Sequence, residues 1–170
     1  ANLLAARAVR AACPPGRYVA GNIGPIGKFL QPMGEYTKQE FQENFEAQVQ
    51  GLMDGGVDFL SIETMYSLDE AICAVRAAKK LSDLPVSVCM TFDKNPRGFF
   101  TLMGETVPRC MEALEAEGAD IIGSHCSHGS PVFLDLARII RDATRLPIII
   151  PPNRRRPALG PLPGPLRRGH

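Results

Sequence analysis

Two short stretches of this chain carry the side chains best suited to chemistry. One is Gly123-Ser-His125-Cys126-Ser-His128-Gly129, where a thiol stands among imidazoles. Thiolate and imidazole are zinc donors, and a thiolate is also a strong nucleophile. Their spacing limits what they can do together. His125 and Cys126 are adjacent, so on a strand they face opposite ways, and only Cys126 and His128 could share a face if the chain turns there. No second Cys or His group completes a tetrahedral set. That argues against a closed structural zinc and leaves an open catalytic one incomplete within these residues. The other stretch is Glu63-Thr64, which closes an apolar run. Glu63 reads either as a solvated carboxylate favoured by the dipole of a following helix, or as an acceptor for a ligand ammonium group. The residues alone leave both open.

Elements of the right length exist to position these groups. Residues 1–12 read as a helix ended by Pro14-Pro15-Gly16. Strand candidates cover 18–21, 57–62, 85–90, 119–122 and 146–150, and helices fill the intervals. Thr37 with Glu40, and Ser67 with Glu70, have the spacing of capping boxes. Phe41, Phe45, Val49 and Leu52 recur at helical spacing until Gly55-Gly56. The strand starts lie 39, 28, 34 and 27 residues apart, each long enough for a crossover helix and too long for a hairpin. Such units build a parallel α/β sheet, either doubly wound or a stretch of a (β/α)8 barrel. In both, active groups gather at the carboxyl ends of the strands. That rule adds Asn22, Asp93, Ser124 and Asn153 to the candidates, by position only. The loop Gly21-Asn-Ile-Gly24-Pro-Ile-Gly27-Lys28 invites a phosphate-binding reading. Its spacing is not GxGxxG, Pro25 removes an amide donor, and the next helix starts some ten residues later, so it reads as a tight turn shaping a pocket floor.

Composition narrows the classes. The 170 residues are 45% hydrophobic and 22% charged, enough for one domain with a core. The net charge of +1 misleads, because five arginines lie in the last 20 residues, where there is no acid. Residues 1–150 carry 14 basic against 18 acidic groups and no basic stripe for nucleic acid. Five scattered cysteines without a CxxC pair point to free thiols in a reducing cytoplasm. No window is apolar enough for a membrane span, and residues 1–9 lack a signal peptide's apolar middle. Residues 151–170 hold 6 of the 15 prolines and read as a Pro/Arg/Gly-rich disordered tail following a domain at 1–150.

Four segments in register at successive strand ends then resemble a known family. Gly21-Asn-Ile-Gly-Pro-Ile-Gly27, Val57-Asp-Phe-Leu-Ser-Ile-Glu63-Thr64, Thr91-Phe-Asp93 with Arg97-Gly-Phe-Phe, and Gly123-Ser-His-Cys126 are similar to the homocysteine S-methyltransferases. The nearest likeness is to the homocysteine-binding domain of cobalamin-dependent methionine synthases, over nearly all of residues 1–150. The resemblance implies a (β/α)8 barrel holding zinc through three cysteine thiolates. One ends a strand in Gly-x-Asn-Cys, and two adjacent ones come from a later Gly-Gly-Cys-Cys segment. Cys126 matches the first ligand, and Glu63 matches the acid that holds the amino group of homocysteine. The zinc-bound thiolate then takes a methyl group, giving methionine. The donor stays open: methylcobalamin on another domain or corrinoid protein, a methylated amine, or a sulfonium.

Departures from the pattern carry their own expectations. His125 stands where the family usually has Asn, and the 170 residues contain no Gly-Gly-Cys-Cys segment. A full barrel takes roughly 250 residues, so about five strands predict a partial barrel that binds zinc poorly and is inactive alone. Asn153, Pro157, Ala158 and Leu159 still resemble the family while the Arg/Pro/Gly run does not, as expected of a gene fragment whose end is read out of frame. Two alternatives remain at this point. One is a pterin-binding barrel methyltransferase without zinc, in which Asp93, Asn153 and Asn22 would hold the ring; the other is a non-catalytic fragment.

Overall fold

Thr37 begins the longest helix for a reason written in its hydrogen bonds. The Glu40 amide donates to Thr37 Oγ1 at 3.2 Å and the Thr37 amide donates to Glu40 Oε2 at 2.8 Å, so the expected capping box closes. A computed structural model of the chain describes residues 1–125 and 130–150. Residues 151–170, the expected tail, and 126–129, with Cys126 and His128, lie outside the described residues.

The chain runs α1 (Asn2–Ala12), β1 (Ala20–Ile23), α2 (Lys38–Met53), β2 (Phe59–Met65), α3 (Leu68–Leu81), β3 (Val86–Met90), β4 (Asp93–Asn95), β5 (Gly98–Phe100), α4 (Val107–Ala116), β6 (Ile121–Ser124), α5 (Ser130–Ala143) and β7 (Ile148–Ile149). Five strands form one parallel sheet in the order β1-β2-β3-β6-β7, so strands that follow one another through crossovers are neighbours. A doubly wound sheet reverses direction at a switch point; this one does not. The order is that of a barrel arc, and it decides between the two architectures left open by periodicity.

The register divides the sheet into two unlike faces. Ile23, Ile62, Val88, Ile122 and Ile148 align across all five strands. The first four are fully buried. They meet helices whose apolar stripes are the expected ones, with Phe41, Phe45, Val49 and Leu52 of α2 all buried. At roughly 25 cal/mol per Å² of apolar area, this layer is the main source of stability. The opposite face carries Asn22, Ser61, Ser87 and Ile121 in one row, then Glu63, Cys89 and Gly123 toward the rim. It is polar and small-sided, as befits a barrel interior.

Two differences from the sequence reading have plain causes. The segment after β3 folds back as the antiparallel hairpin β4–β5, with Asp93 opposite Phe100, because Asn95-Pro96-Arg97-Gly98 supplies turn residues and Asn95 Oδ1 accepts the Arg97 amide at 2.8 Å. The capping box at α3 is half made. Ser67 Oγ accepts the Glu70 amide at 3.4 Å, but the Glu70 carboxylate turns away and takes the Ile26 amide at 2.7 Å. There it ties the β1–α2 loop to α3.

The amino-terminal ends of the strands are fastened by a repeated device. Asp58 Oδ2 accepts the Val19 amide at 2.6 Å while the Asp58 amide donates to Val19 O at 2.8 Å. Asp120 and Val86 exchange the same pair at 2.8 and 2.9 Å. Arg10 lies 2.5 Å from Asp58, and Lys79 lies 2.6 Å from Asp120. The Val19 amide, with the Arg10 guanidinium, holds the Asp58 carboxyl below its ordinary value. Burial pushes Asp120 upward, but Lys79 and the Val86 amide outweigh it and leave that group lowered too. Because both folded values are depressed, the stability they contribute is whole above the unfolded value of about 3.9 and is lost as pH falls through the folded values. Thermal melts from pH 7 to 2.5 are expected to show a steep acid limb that flattens in the Asp58→Asn, Asp120→Asn double variant. An unchanged limb would remove the clamps from the account.

Candidate active site at the carboxyl rim

A bulge in β2 builds the rim. Ile62 pairs with Val88 and Met65 with Met90, so Glu63 and Thr64 together stand opposite Cys89 alone. The extra residue lets Met65 return to the buried face while Glu63 and Thr64 both stay at the rim. Thr64 has φ 61°, the left-handed region that a β-branched residue adopts at a cost.

Hydroxyls on the inner face orient the Glu63 carboxylate. Ser61 Oγ donates to Glu63 Oε1 at 2.8 Å, and Ser87 Oγ donates to Ser61 Oγ at 3.1 Å. Glu63 is half-buried, and one of its oxygens is fixed by this row. Such a carboxylate accepts a cationic N–H donor with little reorganisation. Asn22, in register with Ser61 on the neighbouring strand, is exposed on the same face.

Beyond the sheet ladder, three strand ends are stitched together. The Thr91 amide donates to Met65 O at 2.7 Å and the His125 amide to Met90 O at 3.0 Å. Thr91 Oγ1 donates to His125 O at 3.4 Å, and Thr64 Oγ1 lies 3.3 Å from His125 Nδ1.

The sequence candidates therefore separate. Glu63 and Asn22 share the inner face. Asp93 is exposed at the start of the β4–β5 hairpin. Ser124 aligns with Met90 and is 1% exposed on the helix-covered face, so the structure does not bring it to the mouth. Cys126 and Asn153 lie outside the described residues. Ser61 and Ser87 were missed, although Ser61-x-Glu63 and Ser87-x-Cys89 place polar or small groups at period two inside apolar strands.

Whether the described residues suit a metal can be asked of their thiols. Burial, and then the charge of Glu63, push Cys89 up to about 12; burial, and then Glu105, do the same for Cys110. These are protonated packing groups. Among the described residues no three His, Cys, Asp or Glu side chains are grouped to hold a metal ion. A zinc site needs Cys126 and donors from outside them. Beside the rim, a cavity of about 270 Å³ lies between the β1–α2 loop and the start of α3, lined by Lys28, Phe29, Tyr66 and Glu70 among others. Burial raises the Glu70 carboxyl, and the Ile26 amide offsets part of that.

A sequentially ordered parallel sheet defines a barrel-type α/β protein, a fold whose active groups gather at the carboxyl ends of the strands. Comparison with known proteins gives the lineage. The family model for homocysteine S-methyltransferase matches residues 1–162. The chain belongs to that family. It is 28% identical over 149 residues to the methionine synthase of Mycobacterium leprae, covering 85% of this chain and 12% of that protein. It is 30% identical over 124 residues to betaine–homocysteine S-methyltransferase 1 of Sus scrofa, covering 73% of this chain and 42% of that one. The apo crystal structure of the homocysteine methyltransferase MmuM from Escherichia coli superposes with a TM-score of 0.64 at 20% identity, over 80% of this chain and 49% of that chain. That likeness shows the barrel fold, and a metallated form of MmuM superposes at 0.63. The chain thus spans 12 to 53% of the length of these relatives. Among the described residues, no helix is long and apolar enough to cross a membrane.

Proposed function

We propose that this chain supplies part of the homocysteine-binding barrel of a zinc-dependent homocysteine S-methyltransferase that forms methionine in the cytoplasm. The observation that carries the reading is Glu63. It is lifted onto the rim by a bulge, oriented by the Ser87–Ser61 hydroxyl row, and separated by β3 alone from the strand that leads to Cys126. A carboxylate so placed takes the substrate ammonium, with Asn22 beside it as a neutral partner. Zinc, bound through Cys126 and donors outside the described residues, would supply the deprotonation of the substrate thiol. The thiolate sulfur forms a bond to the methyl carbon as the donor–methyl bond breaks, and that electron pair leaves with the donor. Similarity to a methionine synthase supports a cobalamin-carrying domain or corrinoid protein as the source of the methyl group.

Zinc analysis with calorimetric titration of L-homocysteine against the complete gene product tests this reading. One zinc per chain is expected, with a thiol proton released on binding. Homocysteine bound without metal, or not bound, would overturn it.

A further inference from the structure

We infer that the cavity beside the rim, with Glu70 among its lining and Phe29 and Tyr66 on its walls, is a binding site for a small amine, taken as its ammonium ion. It is a second site, separate from the one proposed for homocysteine.

The position of the cavity sets it apart from the inner face of the sheet. Its lining comes from the β1–α2 loop, the start of α3 and the loop between β5 and α4, together with Phe41 of α2. None of Asn22, Ser61, Glu63, Ser87 and Cys89 lines it. At about 270 Å³ it falls below the roughly 300–1,000 Å³ of sites for drug-sized molecules, so its occupant is small.

Glu70 supplies the chemistry. The residue is 1% exposed, and Oε1 accepts the Ile26 amide at 2.7 Å. Oε2 has no hydrogen-bond partner among the described residues, and no Lys or Arg there pairs with the carboxylate. Every side-chain oxygen sealed from solvent has a partner among the described residues, so Oε2 meets open space, and the cavity is a space that Glu70 lines. A carboxylate held this deep without a cation is costly, and an ammonium ion beside it would offset that cost.

The other lining groups agree with a cationic occupant. Asp69 is taken by Lys38 at 2.8 Å, and Glu105 accepts the Thr101 hydroxyl. Lys28 is exposed and makes no ion pair with Glu70. Burial, and then the charge of Glu70, push the Tyr66 hydroxyl up, so the field of the carboxylate reaches that wall. Phe29 and Tyr66 meet edge to face with centroids 6.5 Å apart. Rings beside a buried anion attract an ammonium by their quadrupole as well as by charge. An anion would be repelled here, and a neutral ligand would leave the carboxylate uncompensated.

The test takes benzylamine as the ammonium and benzyl alcohol as its neutral match. Both are titrated by ligand-observed NMR at neutral pH against the complete gene product and its Glu70→Gln, Phe29→Leu and Glu63→Gln variants. Wild type is expected to bind the amine about 10-fold more tightly than the alcohol, the worth of one hydrogen bond to a buried charge. Gln can still accept the Ile26 amide, so in Glu70→Gln the loop stays tied while the two affinities converge. Phe29 is 46% exposed, so Phe29→Leu should fold, and it should weaken the amine by about 2-fold to 5-fold. Glu63→Gln should keep the wild-type preference. Equal affinity for the two ligands in wild type, or the wild-type ratio kept in Glu70→Gln, overturns the site. A preference lost in Glu63→Gln instead would put the amine at the rim, which overturns this inference and leaves the proposed function standing.

Discussion

Glu63→Gln is expected to weaken binding of L-homocysteine to the complete gene product by roughly 30-fold, or about 2 kcal/mol. The figure is that of one charge-assisted hydrogen bond in a half-buried setting. Gln keeps the length of the side chain and an oxygen to accept the Ser61 hydroxyl, so the bulge and the hydroxyl row survive. What it removes is the negative charge that the proposed function sets against the substrate ammonium. The control is a ligand with the same thiol and no amine, 4-mercaptobutanoate, whose affinity should be the same for wild type and variant. An equal loss for both ligands would mean that the substitution damages the rim rather than the amine contact. Equal homocysteine affinity in the two proteins would remove Glu63 from the site.

Gly123→Ala carries the largest expected effect on the fold. A Cβ built at Gly123 would stand 1.7 Å from Ile149 O and 2.8 Å from its carbonyl carbon, so β6 and β7 can pair only while this position lacks a side chain. Backbone cannot swing aside as a flexible side chain can. Alanine should force the two strands apart and cost about 3 kcal/mol, seen as a melting temperature lower by roughly 6–12 °C. Loss of exchange protection at the Ile122 amide, which donates to Pro147 O at 3.1 Å, would locate the damage at β7. A variant that melts with wild type would show that this approach is not the one the protein adopts in solution.

How much of this was legible in the amino-acid order follows from the range of the forces involved. The α2 stripe and the Thr37–Glu40 cap depend on residues three or four apart, so pattern alone locates them. Strand spacing gave the parallel α/β class, and membership of the homocysteine methyltransferase family agrees with the motifs at the strand ends. Which residue of each pair faces the barrel interior was not legible. It turns on a register that shifts every side chain to the other face when it slips by one, which is why position alone made Ser124 a candidate although it is buried on the helix-covered face. The bulge left no local mark, since the strand reads as ending at Ile62 and only the pairing of β2 with β3 reveals that it runs on to Met65 with an extra residue. Glu70 shows the same limit. Its spacing from Ser67 satisfied the helix rule, and a distant amide at Ile26 then outcompeted that local partner.

The Asp58–Val19 and Asp120–Val86 fastenings sit at the end of the sheet opposite the rim, and each belongs to its own strand-to-strand junction. Anchorage and the candidate site are thereby held at opposite ends of the sheet. A lineage built this way can exchange its upper loops one at a time, trying new reactions above a foundation that never has to be relaid.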